Sequence, residues 1–210
     1  EWWVELARLG GDVVKVVGTA HDVRDCLEVA RTFAQADQPT IAIAMGEHGM
    51  LTRVLALREP TCVLTYAALD TGSGTAPGQI TAREMRDVYR VGRLDETTRV
   101  YGLLGPHAED ARLSEYNAWF AADDVPGVAV PFLADCDAAA IVAAFRELPV
   151  SGWHIHGQAL QADVPAVVDV VSPRAARQGK VNGVTRGADG ALHGEWVESP
   201  REQYELWRSL

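Results

Sequence analysis

The sequence predicts an α/β fold with parallel strands, laid out in two successive halves. Short runs rich in β-branched residues alternate with segments of helical period along the whole chain, which is the pattern of βαβ units. The run Asp12-Val-Val-Lys-Val-Val-Gly18 is apolar on both faces, as expected of a strand covered on both sides. A short polar stretch over 92–98 divides the alternation in two and reads as a linker.

In the first half a helix over 1–9 is stopped by Gly10-Gly11, and a strand follows over 13–17. Val23, Cys26, Leu27, Ala30, Phe33 and Ala34 recur near a helical period, giving a helix over 21–36. Pro39 precedes an apolar strand over 40–45. Met50, Leu51, Val54 and Leu55 form one stripe of a helix over 47–57, and 62–67 reads as a third strand. A Gly/Ser/Thr/Pro loop covers 70–78, after which Thr81 caps a helix through 91 with Glu84 completing a capping box. The second half gives strands over 100–104, 128–132 and 153–156 and helices over 113–122, 138–148 and 164–171. Ser172-Pro173 caps a short helix to 178, runs 181–185 and 192–197 pair as a hairpin, and Ser199-Pro200 opens a closing helix.

The 210 residues suffice for one or two domains with a sizeable core. A net charge of -10 argues against nucleic-acid binding and against a basic membrane patch. Cys26, Cys62 and Cys136 show neither CxxC nor metal-ligand spacing, so a reducing, cytoplasmic setting is expected. No continuous apolar span of membrane length is visible.

Lys15 is the chemically informative residue. On a strand it shares a face with Val13 and Val17, while Val14 and Val16 point the other way. A buried ammonium would lose water, and a partly neutral amine can attack a ketone to form a Schiff base. The plain alternative is a lysine snorkelling from the end of an ordinary strand.

Lys15, Ala44-Met45-Gly46-Glu47, Thr52-Arg53, Leu64-Thr65-Tyr66 and Thr75-Ala-Pro-Gly-Gln79 stand in an order and spacing that resembles type I 3-dehydroquinate dehydratase, over roughly residues 1–92. That family is a TIM (β/α)8 barrel with its chemistry at the carboxyl ends of the strands. The resemblance implies that Lys15 forms an imine with the C3 ketone of 3-dehydroquinate, without metal or nucleotide cofactor. It implies that Arg53 clamps the substrate carboxylate, that Thr75 and Gln79 belong to a loop closing over substrate, and that Met45 and Tyr66 pack against the substrate ring or the imine. Thr75 stands where the family usually has Ser. Taken singly, Arg53 reads equally as a solvated helix arginine, Gln79 as a loop residue, and Met45 and Tyr66 as ordinary core. Only the last three barrel strands are expected, against the eight a barrel needs. The family's general-base histidine and its orienting glutamate would precede Glu1, and neither His21 nor His48 matches that histidine. The first half is therefore expected to be the C-terminal part of a barrel with one sheet edge unpaired, inefficient alone for want of a base worth roughly 10²–10⁴-fold. Type I dehydratases are often dimers, which makes a homodimer a candidate assembly.

Residues 99–210, after a linker over 93–98, resemble the N-terminal, substrate-binding domain of shikimate dehydrogenase, a three-layer α/β domain. Val100-Tyr-Gly-Leu-Leu-Gly105, Asn117-Ala-Trp-Phe120, Val130-Pro-Phe132, Gly152-Trp-His-Ile155 and Gly179-Lys-Val-Asn-Gly-Val184 carry that likeness. The family's catalytic lysine falls on Leu160, its threonine on His156 and its partner aspartate on Glu198, while Asn182 alone is unchanged. The segment 106–114 carries Glu109 and Asp110 instead of paired serines. No GxGxxG occurs, so NADP binding and shikimate dehydrogenase activity are not expected. His154, His156 and His193 suggest a metal only weakly, and no metal site is expected. The rival reading is a non-enzymatic binding or scaffolding protein in which both halves are relics.

Overall fold

Two units, Glu1–Thr98 and Arg99–Leu210, emerge in the computed structural model, which describes residues 2–70, 78–106, 110–135, 137–148 and 150–210. In the first unit helix α1 (Trp2–Ala7) leads into strand β1 (Val14–Thr19), helix α2 (Leu27–Gln35) and strand β2 (Thr40–Met45). The two strands pair in parallel from Val14 opposite Thr40 to Thr19 opposite Met45. The crossover opens with a 3-10 turn, Val23–Cys26, on a capping box in which the Asp22 and Asp25 carboxylates take each other's backbone N–H groups. Phe33 of α2 packs on Ala42 and Ala56, and the Trp3 indole N–H donates to the Thr40 hydroxyl at 3.0 Å. Helices α3 (Met50–Leu55) and α4 (Ala82–Asp87) follow, the second on the expected Thr81/Glu84 capping box.

Three expectations for this unit need correction. The segment 62–67 is extended but is not a strand: it makes a single parallel bridge, Cys62 to Thr40, before leaving the β2 edge. The sheet therefore has two strands. The expected cover over both faces of β1 is also missing. Val14 is buried, but Lys15 is exposed and Val17 is 42% exposed. With β2 as its one neighbour among the described residues, β1 has a single packed face, towards the helices. The α4 helix also ends at Asp87, short of the expected 91.

In the second unit a six-stranded mixed sheet has the order β4-β3-β5-β7-β8-β6. Strands β3 (Arg99–Gly105), β4 (Gly127–Leu133) and β5 (Val150–Ile155) are parallel, and β7 (Gly183–Arg186) and β8 (Leu192–Glu195) form the antiparallel hairpin. Helices α5 (Asp110–Ala122) and α8 (Pro200–Arg208) cover one face, where Tyr101, Phe120 and Trp207 stack with ring centroids 4.6–6.4 Å apart and Tyr204 meets Phe120 edge-on. Tyr101 stands on that face, so Gly102 and Trp153 turn to the other. There Phe132 meets Phe145 and Trp153 edge-on, next to helix α6 (Ala138–Ala144). A Cβ on Gly102 would lie 2.4 Å from the Trp153 ring, which is why this strand position carries no side chain.

The helix expected over 164–171 is instead a 3-10 turn, Val164–Ala166, followed by strand β6 (Val170–Val171) beside β8. Pro165 stands in the first turn, where proline is tolerated, so it is not the cause; the β-branched Val170-Val171 pair finds an open edge on the sheet beside β8. Helix α7 (Pro173–Gln178) then starts on the Ser172 cap, and α8 on the Ser199 cap, as their sequences indicate. No described helix is long and apolar enough to cross a membrane.

Candidate functional site

The first unit places Lys15 second on β1, near its amino end, and Met45 at the carboxyl end of β2, with Tyr66 on the segment beyond the β2 edge. Because Lys15 lies on β1 and the 62–66 segment meets the far edge of β2, a Lys15–Tyr66 contact must cross roughly 10 Å of sheet, two strand spacings. It does: Lys15 Nζ is 3.1 Å from the Tyr66 hydroxyl and 5.0 Å from the ring centroid. Both residues are exposed, so the desolvation that the sequence led one to expect at Lys15 does not operate; a phenol and its ring hold the amine instead.

Arg53 sits beneath this pair, 2% exposed. Its Nε–H donates to the Gly78 carbonyl at 3.0 Å and Nη1 to the Tyr66 carbonyl at 3.5 Å. Burial pulls the guanidinium below its ordinary range. Arg53 is thus neither a solvated helix arginine nor, in this state, a side chain reaching out to a carboxylate. It ties the turn before Gln79 to the segment carrying Tyr66. Thr52 secures the helix that presents it: its hydroxyl accepts from the Ala44 N–H at 3.1 Å and donates to the Gly49 carbonyl at 2.7 Å.

Two glycines set the close approach of these loops. Gly46, next to half-buried Met45, has φ +91, and Gly78 has φ +72. A Cβ on Gly78 would stand 2.1 Å from the Gly46 carbonyl oxygen, so the 78–79 turn lies directly on the end of β2 because that position has no side chain. Gln79 is half-buried there. Thr75 lies outside the described residues. The open edge of β1 borders a cleft of about 790 Å³ whose walls include Trp3, Val29, Lys15, Val17 and Thr19.

In the second unit Asn182, Glu198 and Leu160, the positions that the resemblance singles out, have structural partners or lie buried. Asn182 holds Val197 at both ends of its amide: Nδ2 donates to the Val197 carbonyl and Oδ1 accepts from its N–H, each at 2.8 Å. Glu198 is exposed and pairs with Arg174 at 2.6 Å, and Leu160 is buried. Glu109 and Cys136 lie outside the described residues.

The sequence pointed to His154 and His156 but missed the neighbours that α5 brings. Arg112 and Tyr116, one helical turn apart, face the carboxyl end of β5; their i, i+4 spacing was the available signal. The Tyr116 hydroxyl is 2.5 Å from His154 Nδ1, the two imidazoles are 4.2 Å apart, and Arg112 contacts His156. Burial, with His156 and then Arg112 adding like charge, pushes His154 down to about 2, so it is a neutral imidazole. Burial also raises the Tyr116 phenol. Among the described residues no group of three or more His, Cys, Asp or Glu could hold a metal ion.

Comparison with known proteins adds to this geometry. Residues 1–96 match the family described as Type I 3-dehydroquinase. The chain is 31% identical over 191 residues to the bifunctional 3-dehydroquinate dehydratase/shikimate dehydrogenase, chloroplastic, of Arabidopsis thaliana, covering 90% of this chain and 31% of that protein. It is 32% identical over 191 residues to the pentafunctional AROM polypeptide of Yarrowia lipolytica, covering 88% of this chain and 12% of that protein. A solved dehydroquinate dehydratase and shikimate dehydrogenase from S. pombe AroM aligns over 92% of this chain and 37% of its own, at 27% identity and TM-score 0.40. The chain therefore spans about a third or less of the length of these proteins. Its first 96 residues carry a Type I 3-dehydroquinase match, and 90% of its length is similar to a protein that joins 3-dehydroquinate dehydratase to shikimate dehydrogenase.

Proposed function

We propose that residues 1–96 are the imine-forming part of a 3-dehydroquinate dehydratase of the shikimate pathway. The observation that carries this is the exposed Lys15 amine beside Tyr66, in a unit that matches the dehydroquinase family. In this reading Lys15 condenses with the C3 ketone of 3-dehydroquinate. The protonated imine draws electrons from C2, a proton is lost there, and water leaves to give the imine of 3-dehydroshikimate; a second water then hydrolyses the C=N bond, releasing 3-dehydroshikimate and the Lys15 amine. No metal or nucleotide enters the step. Met45 and Tyr66 flank the substrate ring. Thr75 and Gln79 belong to the loop that closes on it, and Arg53 turns from the Gly78 carbonyl to the substrate carboxylate, a partner its planar fork matches better.

The parallel β1–β2 pair and the extended 62–66 segment correspond in this reading to the last three strands of a TIM barrel. The open β1 edge with its adjoining cleft is where a further strand would pair. Residues 99–210 correspond to a shikimate-dehydrogenase-like substrate-binding domain that has given up its catalytic pair. The fixed roles of Asn182 and Glu198 favour a second reading for this half, a binding or assembly module without dehydrogenase activity or NADP.

The test is to treat the 210-residue chain with 3-dehydroquinate, reduce with borohydride and map the peptides. A reduced adduct on Lys15, lost in Lys15→Met, is the expected result. An unmodified Lys15 at saturating substrate overturns the reading.

A further inference from the structure

We infer that the Tyr66 hydroxyl is a catalytic residue of its own, the proton donor and acceptor for imine formation at Lys15. The inference rests on the imine reading of Lys15 and adds to it an acid that the reading leaves unassigned. Imine formation moves several protons. The neutral amine adds to a carbonyl carbon, and a proton passes from nitrogen to the former carbonyl oxygen to give a carbinolamine. The carbinolamine hydroxyl then leaves as water, which needs a proton, while the nitrogen lone pair forms the C=N bond. A donor that serves this step must lie within hydrogen-bond reach of the reacting atoms.

Among the described residues the group at that distance is Tyr66, whose hydroxyl oxygen is 3.1 Å from Nζ. Its proton goes to the departing hydroxyl, and water is released. The product is an iminium cation facing a phenolate, an ion pair held at the same short distance. The phenolate regains its proton from the iminium N–H or from solvent, and the cycle runs backwards when the imine is hydrolysed. The ring centroid, 5.0 Å from Nζ, favours the cationic nitrogen throughout. A phenylalanine would keep this ring contact and lose the acid, so the hydroxyl and the ring can be tested apart.

The chain supplies its own control, because Lys15 and Lys180 are its two lysines. Wild type and Tyr66→Phe are incubated with limiting glyoxylate, an aldehyde probe, and borohydride, and the ratio of labelled Lys15 to labelled Lys180 is read by mass spectrometry. Slow alkylation of buried Cys26 checks that the first unit is folded in both proteins. The expected result is a ratio lowered roughly tenfold or more in Tyr66→Phe near about pH 8. The two proteins should converge near about pH 5, where hydronium replaces the phenol. An unchanged ratio, or a loss of equal size at every pH, overturns the role. Repeating the labelling with 3-dehydroquinate separates the two ideas. Adducts formed equally fast in both proteins sink the Tyr66 role and leave the dehydratase reading standing. A hydroxyl-dependent glyoxylate adduct without any 3-dehydroquinate adduct sinks the dehydratase reading and leaves the Tyr66 role standing.

Discussion

Acidification should destabilise the second unit through His154. The imidazole is 5% exposed, its Nδ1 is 2.5 Å from the Tyr116 hydroxyl, the His156 ring lies 4.2 Å away, and His156 and Arg112 act on it as like charges. None of these neighbours favours an imidazolium. The folded protein therefore takes up a proton there only near about pH 2, against 6.5 for the free side chain. The unfolded chain binds the proton first as pH falls, so the stability due to the neutral group is complete above the free value of 6.5 and is lost progressively towards about 2. At about pH 4.5 the free group lies about two units above the pH, so the loss relative to neutral pH is about 3 kcal/mol. That is a large part of the roughly 5–15 kcal/mol that holds a domain together. Urea unfolding followed by tryptophan fluorescence, at neutral pH and near pH 4.5, measures it. The unit holds Trp119, Trp153, Trp196 and Trp207 as probes. Other groups titrate too, so the comparison is with His154→Gln, which keeps a polar atom for Tyr116 and cannot protonate. Wild type should lose about 3 kcal/mol more than the variant over that interval. Equal losses would mean that His154 is not held neutral, and the account of the buried cluster would fall.

Asn182→Ala removes both bonds to Val197 and leaves a buried carbonyl and N–H unmet, so it should cost about 1–3 kcal/mol in urea unfolding without altering any ligand response. Gly102→Ala drives a methyl into the Trp153 ring and should cost about 1–3 kcal/mol by overpacking, with a changed near-ultraviolet tryptophan signal. Cys26 is buried, and burial with the nearby Asp25 and Asp22 carboxylates pushes its thiol up to about 12. It should resist iodoacetamide at mildly alkaline pH until the first unit is unfolded, and fast labelling of the folded protein would contradict the packing. Arg53→Met leaves the carbonyls of Gly78 and Tyr66 without their donor; it should loosen the turn before Gln79 and weaken trapping of 3-dehydroquinate more than trapping of glyoxylate.

Local chemistry made most of the elements legible. The Ser172 and Ser199 caps, the Thr81/Glu84 box and the β7–β8 hairpin depend on residues a few positions apart, and each lies where its sequence indicates. The errors arose where a partner decides the outcome. Residues 62–67 have strand composition, but a strand exists only while a neighbour supplies hydrogen bonds, and β2 supplies them around Thr40 alone. Val170-Val171 reads as helix in the local sequence because the edge of β8 that captures it leaves no trace there. The same limit explains Lys15: two apolar faces on β1 promised burial, but burial needs a layer on each side, and the face carrying Lys15 and Val17 lacks one among the described residues.

At the candidate site the sequence predicts burial as the device that activates Lys15, and the structure leaves Lys15 exposed. The structure instead gives the amine a hydroxyl 3.1 Å away, delivered across the sheet by a segment that is not even a strand. These two devices act on different steps. Desolvation would favour the neutral amine that attacks the ketone, whereas a phenol assists the later loss of water from the carbinolamine. If Tyr66 acts as proposed, the exposed Lys15 would make and hydrolyse imines without a dry pocket around it. Arg53, buried and bonded to the carbonyls of Gly78 and Tyr66, holds the turn before Gln79 and the segment carrying the Tyr66 hydroxyl on one guanidinium. If Lys15, Tyr66 and Arg53 act as proposed, a carboxylate that drew Arg53 away from those carbonyls would move Tyr66 as well, and substrate binding would be coupled to proton delivery through a single side chain.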